Sequence, residues 1–229
     1  MLQALLARAR RLRMTTLKPF GRGVADAPLR VHLCDVDPGA SDALAAHFRD
    51  VDAVEVVVGD LLDLRADALL SPANSFGDMG GGVDKRIDDF HRGEAQRAVQ
   101  RRIAERWRGE LPVGSADVLA LPSSRFPFLV VAPTMRVPGR IAGTIHAYLA
   151  FRAALIAVLD HGRDGDRPIA SLAATGLGTG VGAMSGDEAG DQMRAAYDMI
   201  IDEGWRRLDH PARAPFAVRP QYRRRAGES

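Results

Sequence analysis

Residues Ser71–Asp84 have the sequence SPANSFGDMGGGVD and follow directly on the apolar run Ala68–Ser71 (ALLS). A short apolar run, a glycine-rich loop and then a charged periodic stretch indicate a buried strand that leads into a helix. Glycine lets a ligand approach the backbone, and successive free amides at a helix N-terminus bind anions. From glycine content alone, however, an ordinary flexible surface loop explains the segment equally well.

A second glycine-rich loop, ATGLGTGVGAMSGDE at Ala174–Glu188, follows another apolar run, Ile169–Ala174. Its spacing matches the dinucleotide-binding fingerprint only loosely, and that fingerprint belongs after the first strand of a sheet rather than the last. Two such loops at one edge of a sheet fit a ligand with two adjacent phosphates.

Strand-like and helix-like runs alternate through the middle of the chain, which predicts an α/β sheet covered by helices on both faces. Ligands of such sheets bind at the carboxyl ends of the strands. The further predicted strands are Arg30–Val36, Val54–Val58, Ala116–Leu121 and Phe128–Ala132. The predicted helices are Pro38–Arg49 with Ser41 as N-cap, 83–107 as one helix or two broken near Gly93, Ile141–Leu159 and Gly186–Arg206.

The composition excludes several classes of protein. Of the 229 residues only Cys34 is a cysteine, which excludes an internal disulfide and a Cys/His zinc cluster and favours a cytoplasmic location. Neither lysine, Lys18 or Lys85, follows a glycine, so a Walker-type phosphate loop is absent. No stretch approaches the roughly 18 apolar residues of a membrane span, so no membrane partner is expected.

The charge is distributed unevenly along the chain. Residues 1–27 carry six basic residues against one acid, and residues 206–229 carry seven against two, which leaves 18 basic and 26 acidic residues between them. We therefore predict a basic N-terminal extension (1–27), an acidic domain (28–206) and a basic C-terminal tail (207–229). An acidic domain that binds an anion must rely on backbone amides.

Several motifs together resemble the macrodomain family. Ala73-Asn74-Ser75 followed by Gly80–Asp84 (GGGVD) is similar to the family's N-A-A-N strand end and GGGV[DA] loop. Gly178–Gly182 (GTGVG) resembles its second phosphate loop, Gly59–Leu61 (GDL) its G-D-I step and Val131–Thr134 (VAPT) another strand end in its crevice. The resemblance covers residues 30–203 and implies a three-layer α/β/α sandwich with a mixed, mostly parallel central sheet.

The resemblance implies a site for ADP-ribose, free or attached to a protein or nucleic acid, without a cofactor or metal. Asp60 would accept a hydrogen bond from the adenine amino group, and Asn74 would bind the hydroxyls of the distal ribose. Asp84 would position the attacking water, as in hydrolytic members of the family. The implied ligand-binding residues are Asp60, Leu61, Ala73, Asn74, Phe76, Gly80, Gly81, Gly82, Val83, Thr134, Gly178, Thr179, Gly180, Val181 and Gly182.

Some residues depart from the family pattern and keep other interpretations open. Pro72 removes a backbone donor before Asn74, and Ala183-Met184 replaces the usual aromatic residue and proline, so Phe76 is the candidate substitute. These departures leave a non-catalytic reader of ADP-ribose as the alternative to a hydrolase. A dinucleotide-dependent enzyme would need a ribose-binding acid about 20 residues on, where Glu203 is poorly placed. A monomer is the default expectation.

Other reactive residue types have simpler explanations. His91 and His146 lie in predicted helices, where lone histidines are usually ordinary polar or partly buried residues. Cys34 lies in an apolar strand, which favours an inert core thiol. The run Arg223–Arg225 favours a solvated tail, with nucleic-acid contact as the alternative.

Overall fold

The computed structural model describes residues 28–162 and 167–218. The predictions for the N-terminal extension (1–27) and for Arg223–Arg225 lie outside the described residues. Within them no helix is long and apolar enough to cross a membrane.

Helices and strands alternate along the described chain as the sequence predicts. The strands are β1 (Arg30–Asp35), β2 (Val54–Val58), β3 (Ala68–Ser71), β4 (Asp117–Ala120), β5 (Phe128–Val131) and β6 (Ser171–Ala174). The helices are α1 (Pro38–Phe48), α2 (Gly82–Phe90), α3 (Glu94–Trp107), α4 (His146–His161), α5 (Gly186–Ile200) and α6 (Ala214–Val218). Short 3-10 turns lie at Leu61–Asp63, Gly204–Arg207 and Pro211–Arg213.

The strands form a six-stranded sheet in the order β2-β1-β6-β3-β5-β4. All neighbouring pairs are parallel except β4 with β5, so the sheet is mixed and mostly parallel, as expected. Strands β3 and β6 are neighbours, with Ala68 opposite Leu172 and Leu69 opposite Ala173. The two glycine-rich loops, which follow these two strands, therefore leave the sheet side by side.

The core consists of two apolar clusters on opposite faces of the sheet. Successive strand residues point to opposite faces, so Leu70 packs in one cluster and Leu69 in the other. The first cluster contains the buried faces of α1, α4 and α5, and the second contains those of α2 and α3. Helices thus cover both faces of the sheet, which confirms the three-layer α/β/α architecture.

Two details at helix N-termini differ from the sequence predictions. Asp37, not Ser41, caps α1: its carboxylate accepts a hydrogen bond from the Gly39 amide at 3.0 Å. Ser41 is buried, and its hydroxyl donates to the Asp35 carbonyl at 3.2 Å. Helix α4 begins at His146 rather than at Ile141, because Gly143 between them adopts a left-handed conformation with φ of 82°, which is not helical.

The predicted break near Gly93 is present, since α2 and α3 are separate helices. Gly93 adopts a left-handed conformation with φ of 81°, which glycine tolerates and which ends helical continuity. Helix α5 ends at Ile200 and not at Arg206, and Glu203 follows with φ of 53°. The core extends past the expected domain boundary at residue 206, because Val218 on α6 is buried in the first apolar cluster.

Candidate functional site

A crevice of about 640 Å³ lies where the two glycine-rich loops leave the sheet. Its walls include the residues after β2, the first loop with the start of α2, the segment after β5 and the second loop. Of the implied ligand residues it brings together Asp60, Leu61, Ala73, Asn74, Gly80, Gly81, Gly82, Val83, Thr134, Gly178, Thr179, Gly180, Val181 and Gly182, with Asp84 beside them. These residues, predicted from separate motifs, therefore form one site.

The first loop ends in backbone amides that have no acceptor within residues 28–162 and 167–218. Gly81 is the N-cap of α2 and offers no side-chain cap, while Gly82 begins the helix with φ of 57°. Among the described residues nothing accepts a hydrogen bond from the amides of Gly81, Gly82 or Val83. These donors combine with the positive end of the helix dipole, which is an arrangement that binds phosphate.

The second loop folds back on itself and is held by backbone hydrogen bonds. The Met184 amide donates to the Gly178 carbonyl at 3.0 Å, and the Ala183 amide donates to the Gly180 carbonyl at 2.9 Å. A Cβ atom on Gly182 would lie 2.5 Å from the Gly178 carbonyl oxygen, so no side chain fits there. The amides of Gly180 and Val181 have no acceptor within the described chain and are available to a second phosphate.

Asp84 lies in the first turn of α2 and is partly buried beside the first loop. The Ser71 hydroxyl donates to its Oδ1 atom at 2.6 Å, and the Ala73 amide also donates to the carboxylate. Desolvation outweighs these hydrogen bonds and, with the nearby Asp78 charge, raises the pKa of Asp84 to about 6. The carboxylate is thus mostly ionised at neutral pH and still basic enough to accept a proton.

Asn74 is buried, and its side chain organises the first loop from within. Its Nδ2 donates to the Asp78 carbonyl at 2.9 Å, and its Oδ1 accepts from the amides of Phe76 and Asp78 at 3.1 and 3.3 Å. Asn74 therefore also caps the turn that opens the first loop. Because the amide nitrogen carries two hydrogens, one donor remains for a ligand.

Asp60 lies at the end of the crevice formed by the residues after β2. Its Oδ1 accepts from the Leu62 amide at 3.0 Å and caps the 3-10 turn Leu61–Asp63. Its Oδ2 accepts from the guanidinium of Arg86, a residue of α2 that the sequence analysis did not single out. Both carboxylate oxygens therefore have protein partners.

Phe76, the predicted aromatic contact, does not line the crevice in the described structure. Its ring is 40% exposed and lies outside the crevice, with the Arg136 guanidinium 5.4 Å from the ring centroid. The following residue, Gly77, adopts φ of 69° and is buried against α3 near Val99 and Ile103. Within the described chain, no aromatic side chain lines the crevice.

Two contributing residues were missed by sequence reasoning. Ser71, the last residue of β3, is fully buried and holds the Asp84 carboxylate. Arg86 lies two positions after Asp84 on α2 and reaches Asp60. Each residue stands next to a motif of the crevice, and nothing else in the local sequence indicated its role. The contact between Arg86 and Asp60 joins residues 26 positions apart, so no local pattern could predict it.

The other reactive candidates have ordinary environments. Burial lowers the pKa of His91, which does not line the crevice. The His146 Nδ1 atom lies 2.9 Å from the Thr134 carbonyl oxygen. Cys34 does line the crevice, but burial and the nearby Asp35 raise the pKa of its thiol, so little thiolate exists at neutral pH. In residues 28–162 and 167–218 no group of three or more His, Cys, Asp or Glu residues is placed to hold a metal ion.

Comparisons with known proteins agree with this architecture. A family model described as Macro domain matches residues 70–193. An uncharacterized protein of Aeropyrum pernix is 32% identical over 164 residues, which cover 72% of this chain and 80% of that protein. A second uncharacterized protein, from Aquifex aeolicus, is 32% identical over 141 residues, or 61% of this chain and 78% of that protein.

Solved structures with the same fold are more distant in sequence. The macrodomain of Mycobacterium tuberculosis DarG has a TM-score of 0.53 at 20% identity, covering 64% of this chain and 90% of its own. A variant of the Oceanobacillus iheyensis macrodomain with ADPR has a TM-score of 0.52 at 22% identity, covering 64% and 76%. Thermosipho africanus DarTG in complex with ADP-ribose has a TM-score of 0.50 at 20% identity, covering 62% and 37%.

Proposed function

Since this chain belongs to the Macro domain family, we propose that its crevice binds ADP-ribose and that Asp84 makes it a hydrolase of ADP-ribosyl linkages. The binding part is supported by two sets of backbone amides on neighbouring loops that lack an acceptor in the part of the chain that the structure describes and that suit two adjacent phosphates. The two related structures that hold ADP-ribose support the same choice of ligand.

The charges of the crevice explain why backbone amides must hold the diphosphate. Four carboxylates line it, from Asp35, Asp60, Asp78 and Asp84, against the single guanidinium of Arg86 in the described lining. Side-chain charge alone would repel an anionic ligand. Amides and a helix N-terminus attract anions without a formal charge and need no reorganisation, because the fold already holds them in place.

The orientation of the ligand follows from the positions of the two loops and Asp60. We place the diphosphate over the amides of Gly81–Val83 and Gly180–Val181, and the adenine at Asp60 and Leu61. The distal ribose then lies near Asn74 and Asp84. This orientation presents the anomeric carbon of the distal ribose, where a modified protein or nucleic acid is attached, to the carboxylate of Asp84.

The observation that carries the hydrolase proposal is the position of the Asp84 carboxylate, which lies in the crevice in the first turn of α2, directly after the amides of the first loop. Desolvation raises its pKa to about 6, which suits a proton acceptor. In the proposed step a water oxygen forms a bond to the anomeric carbon. The bond from that carbon to the linking oxygen breaks, and the electron pair leaves with the departing group. Asp84 accepts the proton that the water loses, and the departing group takes up a proton in turn.

A non-catalytic reader of ADP-ribose is the second candidate, and one observation favours it. The Asp84 carboxylate already accepts hydrogen bonds from Ser71 and Ala73, and Oδ1 of Asn74 accepts hydrogen bonds from two backbone amides of the loop. Both residues therefore contribute to holding the loop in shape. In a reader this structural contribution would be their whole role.

Titration calorimetry with ADP-ribose, run beside a release assay, separates the two candidates. The release assay uses mono-ADP-ribosylated protein and mono-ADP-ribosylated nucleic acid as separate substrates, with wild type, Asp84→Asn and the control Asp89→Asn. Asp89 is exposed on the same helix and pairs with Lys85 outside the crevice. We expect all three proteins to bind ADP-ribose and Asp84→Asn alone to lose release by a factor of about 100 or more.

Each other outcome has a definite meaning. Binding by all three proteins without release from either substrate would refute the hydrolase and leave the reader. Equal release by wild type and Asp84→Asn would refute the role of Asp84. Failure of wild type to bind ADP-ribose would refute the proposed function altogether.

A further inference from the structure

Arg86 is the one cationic side chain among the described residues that line the crevice. It lies on α2, and its Nη2 donates to Oδ2 of Asp60. Side-chain exposures of 48% for Arg86 and 28% for Asp60 show that a ligand in the crevice can reach both groups. A guanidinium carries five N–H donors, and the other donors of Arg86 have no acceptor within the described chain.

The proposed base-binding residue is thus already occupied by Arg86. Oδ1 of Asp60 accepts from the Leu62 amide and caps the 3-10 turn, which leaves Oδ2 as the oxygen that a purine amino group would use. Arg86 donates to that same oxygen. An ion pair between two partly exposed side chains costs little free energy to open. A purine base can therefore displace Arg86 from Oδ2 of Asp60.

We propose that Arg86 is a specificity-determining residue at the base end of the crevice, which lets the site accept a 6-oxopurine as well as a 6-aminopurine. This inference rests on the proposed binding of ADP-ribose. The 6-amino group of adenine donates hydrogen bonds and suits the carboxylate of Asp60. A 6-oxo group only accepts, so it suits the guanidinium and would face acceptor against acceptor at Asp60 alone.

The ion pair of Asp60 and Arg86 changes which purine base the site selects. Without Arg86, the Asp60 carboxylate would bind a 6-amino group and disfavour a 6-oxo group. The oxo oxygen would then lack a hydrogen-bond donor in a partly enclosed site. Arg86 places a hydrogen-bond donor beside the acceptor of Asp60. A 6-aminopurine can then donate to Asp60, and a 6-oxopurine can accept from Arg86. Arg86 therefore removes the penalty against hypoxanthine.

The test is calorimetric titration with ADP-ribose and with the analogue whose adenine is replaced by hypoxanthine. Wild type is expected to bind the two ligands with similar affinity. Arg86→Ala removes the competitor for Asp60 but also removes the guanidinium that faces the four crevice carboxylates. The decisive quantity is therefore the ratio of the two dissociation constants, which should shift about tenfold in favour of ADP-ribose. The same variant should bind the hypoxanthine analogue about tenfold more weakly, because its oxo group loses the charged donor.

Lys85→Ala is the matched control. Lys85 lies on the same turn of α2 and its removal deletes one positive charge, but it pairs with Asp89 and does not line the crevice. It should leave the ratio of the two dissociation constants unchanged. Alanine favours helix at both positions, and unchanged circular dichroism and melting temperature confirm that each variant is folded.

The possible failures are distinguishable. If Arg86→Ala binds ADP-ribose with the wild-type ratio between the two ligands, the role of Arg86 is refuted and ADP-ribose binding stands. If wild type binds ADP-ribose but rejects the hypoxanthine analogue more than tenfold, the inference is also refuted. If none of the three proteins binds ADP-ribose, the proposed function itself fails together with the inference.

Discussion

The stability of the Asp84→Asn variant relative to wild type should increase as pH rises. The pKa of Asp84 is about 6 in the folded protein, against about 3.9 for an aspartate in an unfolded chain. Between these values the folded state holds more protons than the unfolded state, so the wild-type free energy of unfolding falls as pH rises. A difference of about 2 pH units corresponds to about 3 kcal/mol, fully expressed above about pH 7.

Asparagine carries no charge, so the variant does not lose this stability. Its altered hydrogen bonds with Ser71 and Ala73 add an offset that does not change with pH. We therefore expect the stability difference, variant minus wild type, to grow by about 2 kcal/mol between pH 4.5 and pH 7.5. In this comparison the titration of groups that do not interact with Asp84 cancels.

Urea unfolding followed by circular dichroism at five or six pH values measures this difference. Asp89→Asn, which removes an exposed carboxylate from the same helix, is the matched control variant. A constant difference for Asp84→Asn would show that the folded protein does not raise the pKa of Asp84. A difference that shrinks with rising pH would show that it lowers that pKa, and either result refutes the reasoning from desolvation.

Two further substitutions probe the walls of the crevice. Ser71→Ala removes a hydrogen bond that favours the ionised carboxylate of Asp84, so the pKa of Asp84 should rise. The acid limb of the pH–rate profile for release should then move to higher pH, and an unmoved limb would contradict this. Gly182→Ala places a Cβ atom 2.5 Å from the Gly178 carbonyl oxygen, so it should cost about 1–3 kcal/mol in urea unfolding and weaken ADP-ribose binding. Gly180→Ala, which meets no atom within 4 Å, should leave stability unchanged, and equal losses in the two variants would refute the packing argument.

The alternation of apolar runs and helical periodicity was sufficient to predict the sheet and its two helical layers. These are local properties of the chain, and short connections leave few ways to pack alternating strands and helices. Errors occurred at helix N-termini. The Ser41 hydroxyl lies 3.5 Å from the Val57 carbonyl oxygen, and the Ile141 amide donates to the Gly182 carbonyl of the second loop. These partners are far away in sequence, so a local window does not contain them.

The place of the two glycine-rich loops in the crevice could be predicted from local sequence, because loops that follow buried parallel strands emerge at the carboxyl edge of the sheet. Which side chains line the crevice depends on tertiary contacts. Phe76 lies outside with Arg136, whereas Arg86 reaches across to Asp60. A loop can present a side chain to either side at little local cost, so the choice is made by packing and charge between segments that are distant in sequence.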